Sequence, residues 1–427
     1  MRTHETQPGI QACLDEHLVI VGNGMAGHRL LEALLKHQRR PQRITVIGEE
    51  RAPAYNRILL SPWLAGETER EALTLRDTGW YADQGVDLIL GERVIDVDRA
   101  QRHVMTDSGR VLAYDRLVLA TGSRPAMPDV PGIDLAGIHG FRDLDDAAAL
   151  THAAETATPD GNRAVVVGGG LLGLEAAEGL RKRGMQVTVL QRSQQLMNRQ
   201  LDITAATLLQ DELERRGLEV ITGAQLSGFD GDAEGNVRAV QLADGRRLAA
   251  DCVVVAAGIT PNAELGTWMG LTMARGIVVD AWLTSSDPAI HALGECCEFE
   301  GRTYGLVEPI WRQVEVLAAR LCHDSVEGYV EAPTATKLKV SGVSLYAFGP
   351  IEPDAGHEVL TYHDPQHGDY RRLLLRNNRL EGAVLYGDTA FGPWYFEQSL
   401  AGRDLGACRQ ALLFGAGDAK PLLEEAA

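Results

Sequence analysis

Twice in this chain an apolar run of strand character stops at a G-x-G-x-x-G turn and continues as a helix. The first copy is Leu18-Val19-Ile20-Val21, then Gly22-Asn23-Gly24-Met25-Ala26-Gly27, a helical stretch from His28 towards Lys36, and the strand Ile44-Thr45-Val46-Ile47. The second is Ala164-Val165-Val166-Val167, then Gly168-Gly169-Gly170-Leu171-Leu172-Gly173, a helix through Arg183, and the strand Val187-Thr188-Val189-Leu190. Each is a βαβ unit, which commits its strands to a parallel sheet.

The turn has a chemical meaning. Its first glycine permits the tight bend, the second lets a diphosphate come close to the backbone, and the third lets the helix pack on the strand. The helix start then offers unpaired N–H groups and a partial positive charge. A lone glycine cluster also arises as a plain strand-to-helix turn, but both copies here have the strand before and the helix after. The copies match further on as well. Met105 to Ala113 turns at Ser108-Gly109 and leads into Tyr114-Asp115-Arg116-Leu117-Val118-Leu119-Ala120-Thr121-Gly122. Val240 to Ala249 turns at Asp244-Gly245 and leads into Ala250-Asp251-Cys252-Val253-Val254-Val255-Ala256-Ala257-Gly258. Two duplicated dinucleotide domains are the economical reading.

Thr284 to Gly294, with a short strand at Ile290 to Leu293, reads as a return to the first domain, so the second is inserted into it. After Glu331-Ala332-Pro333 come short strands at Lys337 to Val340 and Leu345 to Phe348, and an Asn377-Asn378 hairpin joins Leu373-Leu374-Leu375 to Ala383-Val384-Leu385-Tyr386. The expected architecture is α/β: a first Rossmann-like domain over 15–125 and 250–328, a second over 126–249, and a small α+β domain over 334–427. A chain of 427 residues has room for three such domains.

Composition narrows the function. A formal net charge of -18 repels polyanions, which excludes nucleic acid and anionic membrane as partners and favours a basic protein. Met1 to Glu16 has charges and no long apolar stretch, so it reads neither as a signal peptide nor as a spanning helix, and a cytoplasmic location is expected. Cys13, Cys252, Cys296, Cys297, Cys322 and Cys408 show no C-x-x-C pair, so no iron–sulfur or zinc centre is expected. Cys296 and Cys297 are neighbours, about 3.8 Å apart at Cα, too close for an ordinary disulfide, and read as free thiols. His363 and His367 have the separation of a helical metal pair, but Pro365 argues for a surface loop and no metal.

With Ala120-Thr121-Gly122 and Gly294-Glu295 added, the chain resembles the two-dinucleotide-domain flavoprotein reductases of glutathione-reductase-like fold. That resemblance implies FAD on the first copy and NADH or NADPH on the second. It assigns the FAD side to Gly22, Gly24, Met25, Ala26, Gly27, Glu49, Arg57, Val94, Ala120, Thr121, Gly122, Gly294 and Glu295. It assigns the NAD(P) side to Gly168, Gly170, Leu172, Gly173, Glu175, Gln191, Arg192 and Gly258. In the first copy Glu49 and Glu50 stand where a carboxylate accepts from a ribose hydroxyl; the second has Gln191-Arg192 instead. Arg192 either meets a 2′-phosphate, favouring NADPH, or is a solvated arginine beside a neutral Gln, with NADH accepted.

A narrower resemblance is to the flavoprotein part of the assimilatory nitrite reductase large subunit and to electron-transfer subunits of assimilatory nitrate reductase. It rests on Gly22 to Arg29, Gly168 to Glu175, Met197 with Arg199-Gln200-Leu201-Asp202, Tyr304-Gly305-Leu306-Val307, Thr336 to Val340 and Tyr386-Gly387-Asp388-Thr389. The nitrite reductase subunit continues into an iron–sulfur region and a sirohaem portion, whereas this chain stops at Ala427, so the expectation is the input half: NAD(P)H in, electrons out to an acceptor protein.

In such reductases no side chain does the chemistry. Glu175 and Arg57 support it, the first by holding the nicotinamide amide beside the flavin, the second by stabilising negative charge on the reduced ring or diphosphate. A bland reading makes Glu175 an acid in a helix's first turn and Arg57 a solvated loop residue. Tyr55-Asn56-Arg57-Ile58-Leu59-Leu60-Ser61 resembles the segment that crosses the flavin. Related oxidases and disulfide reductases carry a reactive cysteine there; Ser61-Pro62 disfavours that chemistry and also replaces the lysine of many ferredoxin reductases. Cys296 is expected as a small buried hydrophobe, and Trp311 either covers the flavin or fills core. Two rivals remain at this stage: a ferredoxin or rubredoxin reductase, and a nucleotide-binding redox sensor without turnover.

Overall fold

Two all-parallel sheets carry the two apolar runs. The computed structural model describes residues 15–158, 161–340 and 342–425; Cys13 and nearly all of Met1–Glu16 lie outside them. The chain divides into two compact units, one from the described parts of Met1–Leu59, Glu69–Arg124 and Ile259–Ala332, the other from those of Leu60–Thr68, Pro125–Gly258 and Pro333–Ala427.

In the first unit, β1 (His17–Val21) is the central strand of five, in the order Ile290–Ala292, Arg116–Leu119, β1, Arg43–Gly48, Val86–Leu90. Every pair is parallel, with Leu18 opposite Ile44 and Arg116. All five β1 residues are buried, as a strand covered on both faces requires. Helix α1 (Met25–Leu34) buries Leu30, Leu31 and Leu34 and packs against the helix Val307–Leu321. The expected return strand is present as Ile290–Ala292, beside Arg116–Leu119.

In the second unit, β2 (Arg163–Val167) is again central, in the order Glu219–Thr222, Gln186–Gln191, β2, Cys252–Val255, Ile138–His139. Helices α2 (Leu171–Lys182) and α3 (Ile203–Arg215) belong to this layer. From Thr336 onward a five-stranded antiparallel sheet forms, in the order Thr336–Val340, Val343–Phe348, Arg379–Tyr386, β3 (Asp369–Arg376), Glu358–Asp364. The helix Gly392–Leu400 packs on it, and Phe348, Leu373, Leu385 and Tyr395 lie in the shared core. Asn377 and Asn378 both adopt left-handed backbone, φ 50 and 59, which is what a two-residue hairpin turn with the native strand twist demands. Arg371 is buried between Tyr362 and Phe391 and donates to Asp388 at 2.7 Å and to the Leu413 carbonyl at 2.8 Å. The motif around Asp388 is thereby architectural.

Two expected boundaries are corrected. The break at residue 250 falls too early, because Cys252–Val255 pairs with β2, Ala164 opposite Cys252; it is the closing strand of its own copy, and that stretch of the second unit runs to Gly258. Leu60–Thr68, expected within 15–125, belongs to the second unit: Leu64 seats against Gly179 of α2, whose missing side chain leaves the space, and Arg183 donates to the carbonyls of Trp63 and Leu64. The region from residue 334 groups with the second unit and carries a sheet and a core of its own. His363 lies next to the end of the strand Glu358–Asp364 and His367 in the following turn, so the pair sits on a hairpin rather than in a loop alone.

Cys252, Cys296, Cys297, Cys322 and Cys408 are free and buried. Among the described residues no helix is long and apolar enough to cross a membrane, and no three His, Cys, Asp or Glu side chains gather as a metal site.

His291 is buried in Ile290–Ala292, and burial, then the charges of Arg116 and Arg320, lowers its pKa from 6.5 to about 3. The unfolded chain therefore binds the extra proton first. The contribution is complete above pH 6.5 and is lost as pH falls towards about 3. Between pH 6.5 and about pH 5 that amounts to roughly 2 kcal/mol, so His291→Leu is expected to lose less Tm on acidification than the parent, measured by calorimetry at both pH values.

Candidate functional site

The glycines of the first cradle differ from one another in what surrounds them. A Cβ on Gly22, at φ 110, would stand 2.2 Å from the Ala120 carbonyl oxygen, and one on Gly27 would stand 2.1 Å from the Gly22 oxygen. Both are backbone against backbone and cannot yield. The nearest atom to a Cβ on Gly24 is the Arg57 Nη2, at 4.0 Å. Gly24 is also the N-cap of α1, with no side chain accepting from the first N–H groups. A helix start with open donors and free space at the middle glycine fits a bound diphosphate.

Several of the remaining residues expected on the FAD side have defined partners. Gly294, at φ 85, would bring a Cβ to 3.3 Å from Ala26, and its N–H donates to buried Gln313 at 2.9 Å. Glu295 accepts from Ser123 at 2.8 Å. Thr121 donates to the Asn262 carbonyl at 2.6 Å while the Asn262 amide donates back to the Thr121 carbonyl at 3.0 Å, pinning the Thr121-Gly122 turn. Met25 opens α1, and Val94 is buried at the start of its strand.

The acids separate. Glu49 keeps 67% of its side chain exposed, with Arg93 at 3.9 Å. Glu50 is the built-in acid, accepting from Tyr55 at 2.7 Å and pairing with Arg57. Arg57 also stacks on Tyr55, 4.9 Å from ring centre, so its guanidinium is fixed beside Gly24. It is a positioned cation beside the open glycine, not a merely solvated one. Sequence reasoning missed Asn262 and Gln313, which come from distant segments, and the support that nearby Tyr55 gives Glu50. It also missed Tyr81, whose hydroxyl donates to Asn23 at 3.1 Å and accepts from His28 at 2.8 Å. That network stiffens the loop between the glycines and explains Asn23 and His28.

The second cradle repeats the geometry. A Cβ on Gly168, at φ 127, would stand 2.3 Å from the Ala256 oxygen, and one on Gly173 would stand 1.9 Å from the Gly168 oxygen, yet nothing lies within 4 Å of one on Gly170. Gly170 caps α2 without a side-chain acceptor, Leu172 is partly exposed at its head, and Gly258 closes the unit at φ 128. Gln191 is committed to the loop: it accepts from the Gly169 N–H at 3.0 Å and donates to Ser193 and the Gln195 carbonyl. Arg192 is exposed and has neither hydrogen bond nor ion pair among the described residues.

Glu175 lies beyond the first turn of α2, where the helix dipole has little hold. Its Oε2 accepts from Ser61 at 2.6 Å. Burial pushes its pKa up, and the Ser61 hydroxyl partly offsets this. The other oxygen, unpartnered among the described residues, is an acceptor for an amide N–H. Trp311 is half-buried against the core of the first unit with Arg29 over its ring at 5.7 Å. Cys296 and Cys297 are fully buried, and burial pushes both thiols up, which removes them from thiolate chemistry.

Comparison with known proteins agrees with this geometry. Residues 16–318 match the family described as pyridine nucleotide-disulphide oxidoreductase, and residues 334–397 match the rubredoxin NAD+ reductase C-terminal domain. The chain is 39% identical over 398 residues to the assimilatory nitrate reductase electron transfer subunit of Bacillus subtilis, covering 93% of this chain and 51% of that protein. It is 41% identical over 381 residues to nitrite reductase [NAD(P)H] of the same organism, covering 89% and 47%. The chain thus spans about half the length of these relatives. Among solved structures, the covalent putidaredoxin reductase–putidaredoxin complex superposes with a TM-score of 0.83 at 27% identity, covering 96% of this chain and 99% of that one.

The unequal glycines predict unequal variants. Gly27→Ala drives a carbon into the Gly22 carbonyl and is expected to destabilise the flavin-free protein by about 1–3 kcal/mol. Gly24→Val is expected to leave flavin-free stability within about 1 kcal/mol while abolishing flavin retention, and Gly170→Val to retain flavin but lose nicotinamide binding. Denaturant melts, flavin absorbance and coenzyme titration separate the three.

Proposed function

The chain belongs to the pyridine nucleotide-disulphide oxidoreductase family, and from that premise we propose that it is an FAD-dependent NAD(P)H oxidoreductase that feeds electrons from NAD(P)H to an acceptor protein of nitrate or nitrite assimilation. The observation that carries this is the pair of open cradles at Gly24 and Gly170, each flanked by two glycines that are closed by backbone. FAD, when bound, supplies the conversion of a hydride pair into single electrons. The protein's part is orientation and electrostatics.

On this reading Gly22 to Gly27 and Arg57 hold the FAD diphosphate, and Glu50 and Tyr55 keep Arg57 in place. Thr121, Gly294 and Glu295 border the same cradle. Gly168 to Gly173 hold the nicotinamide dinucleotide, and Glu175 accepts the carboxamide N–H with its free oxygen. Glu49, exposed, has the weaker claim to the ribose. A cytoplasmic location accords with the coenzyme's supply. A reductase solved with its own carrier covers nearly all of this chain, and that likeness favours a second reading in which the acceptor is a soluble ferredoxin or rubredoxin.

Anaerobic stopped-flow mixing with each nicotinamide, followed by mixing of the reduced protein with nitrate reductase, ferredoxin or rubredoxin, ranks the acceptors. Flavin that is reduced slowly and reoxidised by none of them would refute a catalytic role. The coenzyme preference has its own test. With Gln191 tied to the loop and Arg192 unpaired, we read the site as favouring NADPH. Arg192→Ala is then expected to raise KM for NADPH about tenfold and to leave that for NADH nearly unchanged.

A further inference from the structure

Asp202 is 1% exposed and holds together two parts of the second unit that are far apart in sequence. One oxygen caps α3, accepting from the Ala205 N–H at 3.3 Å; the other accepts from the Tyr370 hydroxyl at 2.6 Å and from Arg372 at 2.9 Å, both on β3. A buried carboxylate is stable only while its donors stay in place. Residue 202 is therefore fixed by the antiparallel sheet, and the Tyr386 hydroxyl adds a second tie, to the Leu208 carbonyl at 3.1 Å.

The segment leading into Asp202 reaches the second glycine loop. The N–H groups of Gln200 and Leu201 donate to the Met197 carbonyl at 2.8 and 3.0 Å, and Gln195 donates to the Leu201 carbonyl at 2.8 Å. Met197, 1% exposed, is held at φ 47, a left-handed conformation that a non-glycine residue adopts only when its surroundings impose it. Its own N–H donates to the Gly169 carbonyl at 3.0 Å. Leu196 fills the space a Gly169 side chain would need, 2.5 Å from the Cβ position. The Gly169 peptide, next to the open glycine of the cradle, is thus held from both sides by residues 191–197.

We propose that Asp202, with Tyr370 and Arg372 from the antiparallel sheet, acts as a positioning residue for the nicotinamide coenzyme, setting the Gly169–Gly170 loop through Met197. This gives the C-terminal sheet a part in coenzyme affinity in addition to any part in acceptor docking. It rests on reading Gly168 to Gly173 as the nicotinamide cradle. Arg199, exposed within the same segment, takes no part in the tie.

The test is equilibrium titration of the intact flavin-loaded protein with NADP+ and NAD+, in parallel with stopped-flow reduction by NADPH. Tyr370→Phe removes one donor, and Asp202→Asn keeps a cap while removing the charge. Both are expected to raise the coenzyme Kd roughly three- to tenfold, with flavin content and the limiting reduction rate within about twofold. Arg199→Ala, which leaves the tie intact, is expected to keep the same flavin content and the same Met197 amide exchange as the parent. Hydrogen exchange at the Met197 amide should quicken in the two tie variants. If Asp202→Asn does not fold, Tyr370→Phe decides alone. A lowered Tm with unchanged Kd and unchanged Met197 exchange overturns the proposal, leaving the tie purely structural. A parent that binds NADP+ yet does not reduce flavin would sink the functional reading while the Kd ratio still decides this one; a parent that binds neither nicotinamide sinks both.

Discussion

Everything in this molecule turns on how closely a helix start can approach the end of the strand before it. At Gly27 and Gly173 the separation leaves no room even for a methyl group, and in each unit that contact aims the helix's own first amides at its own glycine turn. Once those amides are aimed, they need an acceptor, because no side chain caps either helix. Glycine at the middle position then does no packing at all. The sheet order, the burial of β1 and the returning strand Ile290–Ala292 serve to hold this arrangement rigid.

Charge is arranged to the same end. A chain this acidic places an arginine beside the first cradle, and it does so by giving Arg57 an acid of its own, Glu50, and an aromatic face. The second cradle uses a neutral amide, Gln191, to hold its loop, and leaves Arg192 in solvent. The carboxyl of Glu175, by contrast, is kept from water and given a hydroxyl rather than a cation, with Ser61-Pro62 where many ferredoxin reductases have serine and lysine.

The parts legible in the sequence were those written in local pattern. The two glycine fingerprints, the Asp244-Gly245 and Ser108-Gly109 turns and the Asn377-Asn378 hairpin each depend on residues within a few positions of one another. What stayed hidden depends on partners far along the chain. Nothing near Thr121 announces Asn262, and nothing near Leu60 announces that its short helix will seat on Gly179. The boundary at 250 cut across the repeat that the sequence itself displays, Ala250 to Gly258 matching Tyr114 to Gly122, and sheet pairing keeps Cys252–Val255 with its own copy. Glu49 and Glu50 are chemically alike, and it is the Tyr55 hydroxyl, a tertiary contact, that separates them.

Each unit is assembled from three separate stretches of chain, with the polypeptide passing from one to the other five times. Neither can be excised as a contiguous fragment, and a proteolytic nick between residues 69 and 258 separates parts of both. Synthesis from the N-terminus therefore delivers the first lobe's edge strand Ile290–Ala292 only after most of the second has emerged. Maturation has to be a joint event, and shuffling one nucleotide lobe against that of another protein demands several simultaneous crossovers in the gene.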